Sequence, residues 1–168
     1  MGNEIGSVAK DVHQLSRQLH SAVLSQLGLA MALESECAAY SQQHGITVEF
    51  CAENIPELIP DDTALCLYRV AQEGLQNISR HAEANRAMVA IETRDGEIVL
   101  AVQDFGSGFD LDAVRGKGGL GLVSMEERVR LVGGSIDVRS KPGQGTQIEV
   151  RIPIGEARNG TSAGAVGR

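Results

Sequence analysis

The chain has 168 residues, 42% of them hydrophobic, and a formal charge of −7 from 15 Lys+Arg against 22 Asp+Glu, enough for one compact domain with accessory pieces. Its core must be aliphatic, because Trp is absent and the aromatics are Tyr40, Tyr68, Phe50, Phe105 and Phe109. The acidic balance argues against a nucleic-acid backbone as the main partner, and no apolar run approaches the roughly 18 residues of a membrane span.

The first segment places apolar residues at Ile5, Val8, Val12, Leu15 and Leu19, a 3-4-3-4 spacing that gives a helix one narrow seam, suited to a partner helix or to packing on its own domain. A second helix is expected near Leu29 to Gln43, stopping at His44-Gly45. Ile46 to Phe50 alternates like a short strand. Pro56 and Pro60 punctuate a loop, after which Asp61 or Asp62 is expected to cap a helix running to about His81, with Ala64, Leu67, Ala71, Leu75 and Ile78 on its buried face.

Ala87 to Thr93 and Glu97 to Gln103 read as two strands joined by Arg94-Asp95-Gly96, a hairpin turn. Asp104 to Gly121 is glycine-rich and loop-like. Leu122 to Val132 returns to helical period and ends at Gly133-Gly134. Ser135 to Arg139 and Thr146 to Ile152 form a last strand pair around Lys141-Pro142-Gly143-Gln144-Gly145. Runs of adjacent strands with few helices favour an α+β fold, a two-layer sandwich whose mixed or antiparallel sheet is covered on one face by helices. The expected divisions are a helical segment at 1–44, a folded α+β domain at 45–154 and a disordered tail at 155–168.

The three cysteines, Cys37, Cys51 and Cys66, contain no C-x-x-C pair, so neither a disulfide framework nor a zinc site is expected and a reducing cytoplasm is the simpler setting. The N-terminal residues lack the charged and apolar regions of a signal peptide. The Asn-x-Ser/Thr tripeptides at Asn77 and Asn159 are read as chance.

Three features can carry chemistry. On the long helix Glu73, Asn77 and His81 recur every fourth position, a row centred about 120° from the apolar stripe. A carboxylate and an amide oxygen one turn apart can hold Mg²⁺ or its waters; the same row also fits a solvated helix face. Asp104-Phe105-Gly106-Ser107-Gly108-Phe109-Asp110 follows an apolar strand, where a carboxylate can accept from an exocyclic amino group and glycines let backbone approach a flat ligand. Gly116-Lys117-Gly118-Gly119-Leu120-Gly121 opens a helix and exposes N–H groups suited to phosphate. It matches G-x-G-x-x-G, but no strand precedes it, which argues against a dinucleotide fold, and it does not fit a P-loop.

Taken in order, E-x-x-x-N on a helix, D-x-G-x-G after a strand, a glycine lid before a second helix and Gly145-Thr146 entering a late strand resemble the N, G1 and G2 boxes of the GHKL ATPases. This superfamily includes histidine kinases, DNA gyrase and the ninety-kilodalton heat-shock chaperones. More narrowly, Tyr68 to Ala84, Gly119 to Ser140 and Pro142 to Pro153 look like the sensor histidine kinases that pair with helix-turn-helix response regulators of the nitrate-sensor (NarL/LuxR) type.

The resemblance implies a Bergerat-type ATP-binding domain that uses ATP and Mg²⁺. Asn77 would ligate the metal, and Glu73 would polarise the attacking group or hold a metal-bound water. Asp104 would read the adenine amino group with Thr146 beside it through a water; His81, by its place at the helix end and not by the resemblance, can coordinate or donate at the same site or satisfy the last helix carbonyls. Gly106 and Gly108 would shape the nucleotide's floor, and Gly119 and Gly121 would belong to the lid. It also implies the dimerisation helices of its own kinase, in a homodimer, and a response regulator as partners, and a cytoplasmic location whether or not the full-length protein is anchored in a membrane.

His20, in Arg17-Gln18-Leu19-His20-Ser21, superficially resembles the family's R-x-L-H-D phosphate-acceptor box. Ser21 replaces the acidic residue, and too little chain separates His20 from Asn77 for a second dimerisation helix. Leu19 to Glu34 is instead similar to the segment after that helix, which puts the acceptor upstream of this chain. Another GHKL ATPase, an anti-sigma-type serine kinase and a nucleotide-binding or dimerising module without turnover are the alternatives.

Overall fold

A computed structural model of the chain describes residue 24 and residues 27–111 and 120–154. The seam at Ile5 to Leu19, His20, Gly116 to Gly119 and the tail from Gly155 lie outside the described residues.

The elements follow in the order α1 (Leu29–His44), β1 (Thr47–Glu53), α2 (Asp61–Asn77), a π turn (Ile78–Ala82), β2 (Arg86–Arg94), β3 (Glu97–Asp104), α3 (Leu120–Leu131), β4 (Ser135–Ser140) and β5 (Thr146–Pro153). The five strands form one mixed sheet in the order β1-β2-β3-β5-β4, with β1 parallel to β2 and every other pair antiparallel. Helices pack against this sheet as an α+β sandwich sharing one apolar core.

Local chemistry accounts for the joints. Gly45 closes α1 in the left-handed region (φ 66°), and its N–H bonds to the Ser41 carbonyl at 3.0 Å. Asp95 and Gly96 both have positive φ (52° and 78°), the two-residue turn that matches strand twist, and they bring Arg94 opposite Glu97. The expected aspartate cap on α2 is absent. Pro60 occupies the N-cap position without a side-chain cap, and Asp61 and Asp62 lie in the first turn, where their charge faces the positive end of the helix dipole. The strand near Ile46 to Phe50 begins at Thr47 and extends to Glu53, because its backbone pairs with β2 along its full length.

All five residues of the α2 stripe are buried, and so are Cys66, Tyr68, Val70 and Gly74. The buried face is wider than one stripe because α2 lies between the sheet and both other helices. Gly74 permits the closest approach, since a β-carbon there would stand 3.0 Å from Val102 Cγ1 on β3.

The register aligns Phe50, Val89, Val102, Ile148 and Val138 as one row across all five strands, and Ile91, Leu100, Val150 and Ile136 as the next. Along β3 the core-facing residues Ile98, Leu100 and Val102 recur at period two, so the next in phase is Asp104. Strand geometry thus carries a carboxylate to the inner face, where it is only 4% exposed.

Candidate nucleotide-binding site

A hollow of about 340 Å³ opens beyond the core-facing ends of β3 and β5, between the last turn of α2, the π turn and the start of α3. Its polar and glycine walls come from Asn77, His81, Asp104, Gly108, Gly121 and Thr146. Ile78, Val102, Leu122 and Ile148 supply apolar wall, a surface on which a flat ring can lie. This volume lies in the range of small-molecule sites. A second hollow of about 370 Å³, between the start of α1 and the Ile55 to Asp61 loop, is walled mainly by residues such as Leu27, Met31, Ile55 and Ile59. The first has the stronger chemical claim because its polar groups converge.

Asp104 is the most informative group there. A buried carboxylate is expensive unless it is hydrogen-bonded; here Oδ1 accepts from the Gly106 N–H at 2.8 Å. An ionised carboxylate can accept several bonds, so the group retains capacity toward the hollow it lines.

The D-x-G-x-G glycines are demanded by the protein's own backbone. A β-carbon at Gly106 would lie 1.9 Å from the Ala82 carbonyl oxygen. One at Gly108 (φ +58°) would lie 2.1 Å from the Lys141 carbonyl oxygen, and one at Gly145 (φ +71°) 2.2 Å from that of Asp104. The loop after β3 is therefore pressed between the π turn and the β4–β5 turn. Ser107 N–H bonds to the Ala82 carbonyl at 2.7 Å, and Gly143 N–H to the Ser107 carbonyl at 2.6 Å.

Ser140 is a residue that motif reasoning passes over. Its hydroxyl donates to the Gly145 carbonyl at 3.0 Å, accepts from the Phe109 N–H at 2.9 Å, and lies 3.0 Å from Thr146 Oγ1. It joins the loop after Asp104 to the strand carrying Thr146. The only signal in the sequence is its place at the end of β4, just before the Lys-Pro-Gly turn.

Of the expected site residues, Asn77, His81, Asp104, Gly108, Gly121 and Thr146 share this hollow. Gly106 stands behind it, packed on Ala82. Glu73 lies one turn before Asn77 and is not among the lining residues. A β-carbon on Gly121 would meet its Oε1 at 2.3 Å, so the Glu73 carboxylate sits against the first turn of α3, where a helix dipole favours negative charge. Gly119 lies outside the described residues. Among the described residues no helix is long and apolar enough to cross a membrane.

Comparison with known proteins bears on the family and the fold. The signal transduction histidine-protein kinase/phosphatase DegS of Brevibacillus brevis is 33% identical over 150 residues, covering 89% of this chain and 39% of its own length. The sensor histidine kinase MctS of Rhizobium johnstonii is 33% identical over 151 residues, covering 89% of this chain and 32% of its own. The chain thus spans between about a third and two fifths of these relatives. The Erythrobacter litoralis EL346 blue-light activated histidine kinase shares the fold, with a TM-score of 0.66 at 21% identity over 90% of this chain and 50% of that one. The family described as histidine kinase-, DNA gyrase B-, and HSP90-like ATPase matches residues 62–156, more than half of the chain, and the chain belongs to that family.

Proposed function

We propose that this chain is the ATP-binding catalytic domain of a two-component sensor histidine kinase, transferring the γ-phosphoryl group of ATP to a histidine on the dimerisation helices. The observation that carries this reading is the shared hollow: β3 brings Asp104 to one wall and α2 brings Asn77 to another. The names of the relatives support the reaction class.

In this reading Asp104 accepts from the adenine amino group, with Thr146 beside it on β5. Ile78, Val102 and Ile148 bed the ring. Asn77 faces the phosphates and contributes an oxygen to Mg²⁺. Among the described residues no cluster of three or more His, Cys, Asp or Glu could hold an ion by itself. That suits Mg²⁺, which retains waters and draws on substrate phosphates. When bound, the metal supplies charge neutralisation to the triphosphate.

Glu73 is the candidate for orienting the attacking imidazole or a metal-bound water, and His81 for a phosphate or metal contact. Gly108 lets backbone approach the base, Gly106 holds the loop that carries Asp104, and Gly119 and Gly121 form the entry to a lid. Transfer breaks the bond between the γ-phosphorus and the ADP oxygen and forms a phosphorus–nitrogen bond on the acceptor. The protein's part is mainly positioning and charge neutralisation. The dimerisation helices and a response regulator are the partners implied, in the cytoplasm.

Calorimetric titration with ATP and GTP, each with Mg²⁺ and with EDTA, tests the reading. ATP is expected to bind more tightly than GTP. Asp104→Asn should erase most of that preference, and Asn77→Ala should erase the gain from Mg²⁺. Equal affinity of the unaltered chain for both bases would remove Asp104 as the reader of adenine.

A further inference from the structure

The helix that carries Asn77 changes its winding immediately after it. α2 is α-helical through Asn77, continues as the π turn Ile78–Ala82, and is closed by Glu83 in the left-handed region (φ 49°). Where four-residue hydrogen-bond spacing passes into five-residue spacing, two successive N–H groups point at one carbonyl, so bonds at the junction are shared rather than paired one to one. Here the Ile78 N–H is shared between the Gly74 and Leu75 carbonyls. The Leu75 carbonyl also takes a donor from another helix, the Tyr40 hydroxyl on α1. Ser79 Oγ does the same for the Gln76 carbonyl at 3.0 Å.

Tyr40 is buried, and its ring lies 4.3 Å from that of His44, centroid to centroid. A buried phenol seeks a hydrogen-bond partner, and this one reaches a main-chain oxygen two residues before Asn77. The far end of the π turn is tied to the Asp104 loop, because the Ala82 and His81 carbonyls accept from Ser107 N–H and Ser107 Oγ at 2.7 and 3.1 Å. The wide turn therefore links the two walls of the hollow, and α1 grips it at its start.

We infer that Tyr40 is a positioning residue for the metal end of the site. Its hydroxyl holds the Leu75 carbonyl at the α-to-π junction, and through that junction sets how Asn77 and His81 face the hollow. Without the donor the Leu75 carbonyl keeps the Ile78 N–H but loses its tie to α1, and the last turn of α2, with Asn77 two residues on, is free to shift against the hollow. The inference rests on the reading of Asn77 as a Mg²⁺ ligand.

A second tyrosine provides the control. Tyr68 on α2 donates to Glu36 Oε2 on α1 at 2.6 Å, joining the same two helices away from the junction. Tyr40→Phe and Tyr68→Phe are compared with the unaltered chain by ATP titration with Mg²⁺ and with EDTA. Tyr40→Phe is expected to reduce the Mg²⁺-dependent gain in affinity by about fivefold, the worth of one neutral hydrogen bond, with little change in EDTA. Tyr68→Phe should lower the melting temperature but leave the gain unchanged. In an Asn77→Ala background, Tyr40→Phe should have no further effect on the gain.

An unchanged gain in Tyr40→Phe, or an equal loss in Tyr68→Phe, overturns the inference. If the unaltered chain shows no Mg²⁺ gain at all, the Asn77 reading fails first and takes the inference with it. Should Tyr40→Phe not fold, Tyr40→Met, which also lacks the hydroxyl but has a side chain that can repack, is titrated in its place, and an unchanged gain there overturns the inference equally.

Discussion

Gly106 packs so closely on Ala82 that a β-carbon at position 106 would lie 1.9 Å from the Ala82 carbonyl oxygen and 2.7 Å from its carbon. The contact seats the loop carrying Asp104 on the end of the helical segment carrying Asn77. The glycine thus serves the relative placement of two walls of the hollow as well as room for a ligand.

Gly106→Ala is therefore expected to destabilise the domain by about 2–3 kcal/mol, the cost of overpacking rigid backbone, and to weaken ATP binding. Gly121→Ala makes the contrast: its β-carbon would meet Glu73 Oε1 at 2.3 Å, but that is the far end of a flexible side chain. It should be neutral or stabilising by about 0.5–1 kcal/mol, the helix gain of alanine over glycine. Thermal unfolding of both variants checks the pair; equal losses would show that Glu73 is as fixed as the Ala82 backbone.

Ser140→Ala strips a part-buried hub of its bonds to Phe109 N–H, the Gly145 carbonyl and Thr146 Oγ1. Partners left unsatisfied cost about 1–3 kcal/mol. The variant should also blunt the preference for ATP over GTP, since the loop after Asp104 loses its tie to β5. Denaturant unfolding and the ratio of the two dissociation constants read these effects separately.

Stability should fall in alkali. Burial pushes the Cys37 thiol up to about 12 and the Cys66 thiol up to about 11 from 9.0, and burial followed by the Glu36 hydrogen bond raises Tyr68 as well. For the thiols the folded state holds the proton more tightly than the unfolded state, so their contribution is complete below about pH 9 and is lost as pH rises from 9 through 11 to 12. Urea unfolding at pH 8 to 11 should show a decline setting in near pH 9, made shallower by Cys66→Ala at lower absolute stability. At pH 8 exposed Cys51 should be the first of these three thiols to react with a thiol reagent in the folded protein.

Much of the architecture was legible from periodicity. The period-two rows of β2, β3 and β5, the stripe on α2 and the Asp95-Gly96 turn are local patterns, and local patterns survive in a sequence. The same periodicity, continued one step past Val102, makes Asp104 core-facing. The ordered boxes marked the family because they record which residue types stand at strand and helix ends.

The cap on α2 was misread because an aspartate within the first turn and one just before it look alike in sequence, and Pro60 decided between them. The π turn left no local signature. Its neighbours are distant in the chain: a hydroxyl on α1 meets the Leu75 carbonyl just before it, thirty-five positions away, and Gly106 and Ser107 meet its far end.

The amino-acid order by itself determined which segments are helix and strand, which face of each is apolar, and which polar residues stand at their ends, because those follow from side-chain spacing and turn chemistry. Only the tertiary structure decided that Asn77 and Asp104 line one hollow, that Glu73 rests against Gly121, that Ser140 bonds to the loop after Asp104, and that Tyr40 reaches the Leu75 carbonyl. These depend on contacts between atoms distant along the chain, whose direction is set by the close packing of α1, α2 and the sheet.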